Sequence, residues 1–137
     1  MLTIILESLY QLASLKIIAM MFLGSLLGML VGFLPGLSGT VALAVLIPFV
    51  FDMPLNMSLA FLLSMHASTA FGGSISAILF NIPGSSVNIA TCFDGYPMTQ
   101  NGEAAKAIEI AASSSHIGGL FGAIVLAFFC QLSDHLL

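Results

Sequence analysis

Three long stretches of this chain carry no charged side chain. None lies between Lys16 and Asp52, none between Asp52 and Asp94, and none from residue 110 to residue 133 unless His116 is protonated. Each stretch exceeds the roughly 20 apolar residues that take a helix across about 30 Å of hydrocarbon. Only 6% of residues are charged, against about a quarter in a soluble domain, and 59% are hydrophobic with a mean hydropathy of +1.14. These patterns predict an all-α integral membrane protein with roughly three crossings, residues 1–137 forming one membrane domain.

Six acids stand against two lysines and no arginine, a net charge of −4. Nothing here neutralises a row of phosphates, which excludes nucleic-acid binding. Residues 1–15 lack a basic start and contain Glu7, so they do not read as a cleavable signal peptide. Their apolar positions fall on one helical face, with Glu7 and Gln11 on the other, as in an interfacial amphipathic helix or the start of the first crossing. Cys92 and Cys130 have no metal-ligand spacing and read as small apolar fillers.

Residues 17–34 form an uncharged run, about 27 Å long as a helix. Gly24, Gly28 and Gly32 recur every four residues, giving a smooth stripe on which another helix can pack closely. Pro35-Gly36 predicts a break. Residues 37–51 are apolar but short for a span, and Ser38, Gly39 and Thr40 sit where hydroxyls cap free N–H groups, as in a half-helix or re-entrant segment. The next helix is predicted over residues 54–71, up to Gly72-Gly73; residues 74–82 can resume it, and Pro83-Gly84 stops it. Asp94-Gly95-Tyr96-Pro97 and Asn101-Gly102 read as turns, followed by a helix from about residue 103 to 132 with Glu103, Lys106 and Glu109 in a solvated start.

The informative feature is a repeat. Leu34-Pro35-Gly36 is followed by Ser38, Gly39 and Thr40, and Ile82-Pro83-Gly84 by Ser85, Ser86 and Asn88. Broken backbone at membrane depth is tolerated where protein covers it or where it lines a polar cavity. In secondary transporters such breaks present half-helix N-termini to anions and free carbonyls to Na⁺. The alternative is two ordinary loops at the membrane surface. On the transporter reading, Ser38, Gly39, Thr40, Asn81, Gly84, Ser85 and Ser86 are candidate substrate ligands. Asn81, Asn88 and Asp94 are candidate ion ligands. Pro83 is expected to end the preceding helix and Gly84 to let the backbone turn where a side chain would obstruct it. Asp94, ahead of Gly95 and Pro97, is a turn former by local chemistry and a cation ligand by its charge. His66 and His116, ionisable groups within membrane segments, are either functional or neutral and hydrogen-bonded inside a bundle.

Three runs carry a resemblance to a known family. They are Gly28-Met29-Leu30-Val31-Gly32-Phe33-Leu34-Pro35-Gly36-Leu37-Ser38-Gly39, Gly72-Gly73-Ser74-Ile75-Ser76-Ala77-Ile78-Leu79-Phe80-Asn81-Ile82-Pro83-Gly84, and Asp94-Gly95-Tyr96-Pro97-Met98. In order and separation, over about residues 16–129, the chain resembles the N-terminal part of the large membrane subunit of the tripartite tricarboxylate transporters, the TctA family. It differs at Glu103, where lysine is usual, and over residues 65–71, where a tyrosine-rich stretch is common. The resemblance implies a multi-pass carrier of the bacterial cytoplasmic (inner) membrane for citrate-like or other organic carboxylates. It implies coupling to an ion gradient, Na⁺ foremost, with no other cofactor. It also implies a small membrane subunit and a periplasmic solute-binding protein as partners, and places both Pro-Gly breaks in the transport core. The family's large subunit is several times longer, so the chain is expected to be one partial repeat, truncated or split, that needs the remaining half to complete the site and does not transport alone.

Two other readings compete. Gly36-Leu37-Ser38-Gly39 also fits the Gly-x-Ser-Gly of rhomboid intramembrane proteases, and His116 begins a run similar to that family's histidine-bearing helix, which would make Ser38 and His116 a dyad. The predicted spans are too few for a six-helix protease core, and the transporter resemblance, which is not enzymatic, explains far more residues. The third reading is a small structural membrane protein or a non-functional remnant of a split gene.

Overall fold

A computed structural model describes residues 11–136, with side chains described to residue 130. Of the amphipathic helix expected over residues 1–15, residues 1–10 lie outside the described residues. Those described form an all-α membrane protein with no strand among them.

Helix α1 (Leu15–Phe33) starts where Ser14 Oγ accepts the Ile17 N–H at 3.4 Å. It stops at Leu34, which is extended (φ −79, ψ 113) because the ring of Pro35 disfavours a helical residue before it. Gly36 then takes φ +88, which a glycine adopts without steric cost. Helix α2 (Gly39–Leu46) begins under a Ser38 cap and continues as a 3₁₀ turn (Ile47–Val50). It is the short half-helix expected from the sequence, too short to cross a membrane.

Helix α3 (Leu55–Phe80) has 26 residues, about 39 Å. Contrary to expectation, Gly72-Gly73 do not interrupt it. Both are buried, Gly72 against the Met29 backbone of α1 and Gly73 against Asn88, and close packing offsets their poor helix propensity. Nor does Pro83 end it. Asn81, in the left-handed region at φ 58, terminates the helix and donates its N–H to the Ala77 carbonyl at 3.1 Å.

A 3₁₀ turn (Ser86–Asn88) leads into α4 (Ile89–Gln100), and the predicted Asp94-Gly95-Tyr96-Pro97 turn proves to be helical. Buried Gly95 lets α4 close on Ile78, and Thr99 Oγ1 donates to the Ile78 carbonyl at 2.7 Å. Those contacts with α3 outweigh the local turn signal. Asn101-Gly102 is a turn as expected, with Gly102 at φ +82, and α5 (Ala104–Leu136) follows.

The contacts fix direction. Gly24, Gly28 and Gly32 of α1 meet α3 at Phe61 to Met65, at Met65 and at Thr69 in turn, so the two helices run parallel with backbones in contact. A methyl group on Gly28 would collide with the Met65 carbonyl. Helix α2 folds back from Thr69 towards the start of α3, where Ser58 Oγ donates to the Val50 carbonyl at 3.0 Å. Helix α4 climbs again beside α3, and α5 descends, passing from the level of Ile78 to that of Ser68. Helices α1, α3 and α5 (to Cys130) are long and apolar enough to cross a membrane, in agreement with the three crossings expected.

Candidate functional site

Both chain breaks lie alongside the interior of α3 instead of beyond its ends. The first, at residues 34–38, returns the chain so that Gly39 packs on Thr69 and His66, near the middle of that helix. The second begins at Asn81, and residues 82–88 tuck back until Gly84 lies against Gly73. There the second break meets the last turn of α1. A Cβ on Gly84 would stand 2.5 Å from the Gly32 carbonyl oxygen at the end of α1 and 2.5 Å from the Gly73 Cα of α3. Three glycines from three segments thus pack backbone to backbone.

This geometry bears out the obstruction expected at Gly84 and corrects only the turn assigned to it. Among the described residues, glycines with positive φ are Gly36 and Gly102, so Gly84 is not needed for a left-handed turn. It is needed because no side chain fits between two neighbouring backbones. The turn is made instead by Asn81, whose side chain is exposed at the helix cap.

Polar groups gather on both sides of the glycine contact. At the first break Ser38 Oγ and Thr40 Oγ1 share a hydrogen bond of 2.7 Å, and Ser38 Oγ accepts the Val41 N–H at 3.4 Å. Thr69 Oγ1, facing Gly39, donates to the His66 carbonyl at 2.6 Å. At the second break Asn88, 3% exposed, is held by three side-chain hydrogen bonds. Its Nδ2 donates to the Ala70 carbonyl at 2.9 Å and to Ser74 Oγ at 2.8 Å, and its Oδ1 accepts from Ser85 Oγ at 2.7 Å. A backbone carbonyl accepts only, so the amide orientation is fixed by its partner.

The fold therefore unites Ser38, Gly39 and Thr40 with His66 and Thr69, and Gly84, Ser85 and Asn88 with Ala70, Gly73 and Ser74. Thr69 and Gly73, one turn apart on α3, join the two groups. Ser86 is exposed beside the second. Asp94 stands apart, lining a cavity of about 380 Å³ between α3, α4 and α5. The α3 partners Thr69 and Ser74 were not singled out from the sequence. The signal for them is the density of small and hydroxylated residues over 68–76, unusual in the middle of an apolar span. Ser38 and His116 do not form a dyad: His116 Nδ1 lies 2.8 Å from the Ala112 carbonyl of its own helix, while the Ser38 hydroxyl pairs with Thr40.

Residues 18–136 match the model of the family described as "Tripartite tricarboxylate transporter TctA family". A protein of Agrobacterium vitis, described as an uncharacterized 52.8 kDa protein in the TAR-I ttuC' 3' region, is 41% identical over 106 residues. The match covers 77% of this chain and 21% of that protein, so the chain spans a minor part of the relative's length. No solved structure matches.

Proposed function

The chain belongs to the tripartite tricarboxylate transporter TctA family, and on that footing we propose that it is part of the large membrane subunit of an ion-gradient-driven uptake system for tricarboxylates or related organic carboxylates. The observation that supports this reading is the meeting of two broken helices at Gly32, Gly73 and Gly84, inside a bundle whose helices are otherwise apolar. Irregular backbone placed there has free N–H groups and hydroxyls to offer a polar solute, and little reason to persist otherwise. With no arginine in the chain, a carboxylate is held by N–H dipoles and neutral donors, which suits a site that must also release its ligand.

In this reading Ser38, Gly39, Thr40, Gly84, Ser85 and Ser86 border the carboxylate site. Asn88 serves as the clamp that holds the second break against α3, since its polar atoms already have partners within the chain. The rest of the large subunit completes the site, a small membrane subunit accompanies it, and a periplasmic binding protein delivers substrate at the bacterial inner membrane. Uptake is coupled to an ion gradient, Na⁺ foremost.

The test is uptake of a panel of labelled di- and tricarboxylates into proteoliposomes holding the complete assembly, with binding protein supplied and Na⁺ or proton gradients imposed. Gradient-dependent accumulation of at least one carboxylate is expected from the assembly and none from the isolated chain. An assembly inert under both gradients would refute the carrier reading. Accumulation by the isolated chain would refute the need for a second half.

A further inference from the structure

We propose that the second half of α5 forms, with α1 and α3, a cleft that receives an apolar transmembrane helix from the remaining part of the large subunit. Near its start α5 packs on the bundle: Ala107 is 4% exposed, and Ile108, Ala111 and Ala112 are half-buried on the same side. From Ser113 to Cys130 every residue is exposed, about 27 Å of helix. At about 100° per residue, the packed face continues through Ser115, Gly118, Gly119 and Gly122 to Leu126. The smallest residues of α5 therefore look back towards the bundle. Yet a Cβ on Gly118, Gly119 or Gly122 would meet nothing within 4 Å among the described residues. Helix α1 shows the contrast, since each of Gly24, Gly28 and Gly32 stands against α3 backbone. Glycine is a poor helix former, and in α1 close packing of a second helix offsets that cost. The glycines of α5 have the same use once a helix lies opposite them.

The polar groups at the head of the cleft favour protein over lipid. Where α5 parts from the bundle, a groove of about 310 Å³ is lined by Met29 of α1, Ser68 and Phe71 of α3, and Ser115 and His116 of α5. His116 Nδ1 lies 2.8 Å from the Ala112 carbonyl. A carbonyl only accepts, so Nδ1 carries the proton and Nε2 of the neutral ring presents a lone pair. The Ser68 and Ser115 hydroxyls share the groove with it. Acyl chains offer such groups nothing, whereas a second helix can bring hydrogen-bonding side chains and lie close to the glycines below.

The source of that helix follows from chain length. The family match runs through α5 to residue 136, so the cleft belongs to the part shared with the family. The chain spans a minor part of the length of its Agrobacterium relative, and the rest of such a subunit holds the sequence that can fill the cleft. This inference rests on the reading of the chain as part of a larger subunit, and not on carboxylate uptake.

The test is photo-cross-linking in membranes that hold the complete assembly, with the cross-linked peptides identified by mass spectrometry. A diazirine analogue of leucine replaces either Leu126, on the glycine face, or Leu120, on the opposite face; the two are 67% and 68% exposed in this chain. Leu126 is expected to capture one apolar segment of the remaining large subunit, and Leu120 to capture that segment several-fold less. Gly122→Leu, which fills the cleft without adding a polar group, is expected to lower the Leu126 yield several-fold. Phe121→Leu, directed away from the cleft, is expected to leave it unchanged. Cross-links from Leu126 to lipid alone, to this chain in the same or a second copy, or to the small membrane subunit overturn the proposal. Equal capture of the segment from Leu126 and Leu120 overturns the assigned face, as does a wild-type yield in Gly122→Leu. An assembly that cross-links as expected but accumulates no carboxylate upholds the cleft, and the carrier reading alone then fails.

Discussion

Asn88→Asp keeps the shape of the side chain and the oxygen that receives the Ser85 hydroxyl, but it removes both N–H donors. The Ser74 hydroxyl can turn its proton towards the new carboxylate. The Ala70 carbonyl, 2.9 Å from the lost donor, has no proton to offer and faces a second acceptor. At 3% exposure, water does not relieve that contact. Side-chain hydrogen bonds between membrane helices contribute about 0.6 kcal/mol each on average and up to about 1.7, so Asn88→Ala, which loses three, is expected to cost about 2–3 kcal/mol. Asn88→Asp is expected to cost more, because a buried acceptor or charge without a partner adds a penalty of about 1–3 kcal/mol. Ser85→Ala, losing one bond, is expected near 1 kcal/mol. The assay is reversible denaturant unfolding of the purified assembly in detergent, followed by far-UV circular dichroism. The expected order of destabilisation is Asp, then Ala, then Ser85→Ala. Asn88→Asp within about 0.5 kcal/mol of wild type, the range of ordinary surface changes, would refute the carboxamide clamp.

Gly84→Ala is expected to cost about 1–3 kcal/mol and most of the uptake, because the new methyl meets backbone on two sides. Gly36→Ala has open space around it and should cost only the left-handed backbone penalty of about 1–2 kcal/mol while keeping uptake, so equal loss of uptake at both positions would discredit the three-glycine contact. Pro97→Ala restores a donor inside α4 and is expected to leave the melting temperature unchanged or raised, since proline is about 3 kcal/mol less favourable than alanine within a helix. A lowered melting temperature would restore the turn reading of that segment. Ser38→Ala should destabilise the first break by about 1 kcal/mol through loss of the α2 cap, and Ser38→Asn should recover most of it, both read by thermal unfolding.

The candidate site was only partly legible in the sequence. Pro-Gly followed by hydroxyls marked both breaks, because a missing donor and an adjacent cap are visible within a few residues. The α3 partners of those breaks were not visible, since Ser74 and Asn88 are fourteen positions apart in the chain. Asp94 reads locally as a turn former and by its charge as a cation ligand, whereas Ser114 and Ser115, which line the same cavity, come from another helix.

What the amino-acid order determined alone is what depends on composition and on neighbours along the chain. Charge-free length dictated the apolar helices α1, α3 and α5, Pro35 dictated the end of α1, and Asn101-Gly102 dictated the turn before α5. The tertiary structure decided wherever two segments compete for the same space. Gly72-Gly73 stay helical and Asp94-Gly95-Tyr96-Pro97 becomes helical because glycine allows a backbone approach, and the packing gained across helices exceeds the local preference it opposes. Gly84 is glycine for the same reason, and the carbonyl and Cα that exclude its side chain belong to residues 32 and 73, which no local reading places beside it.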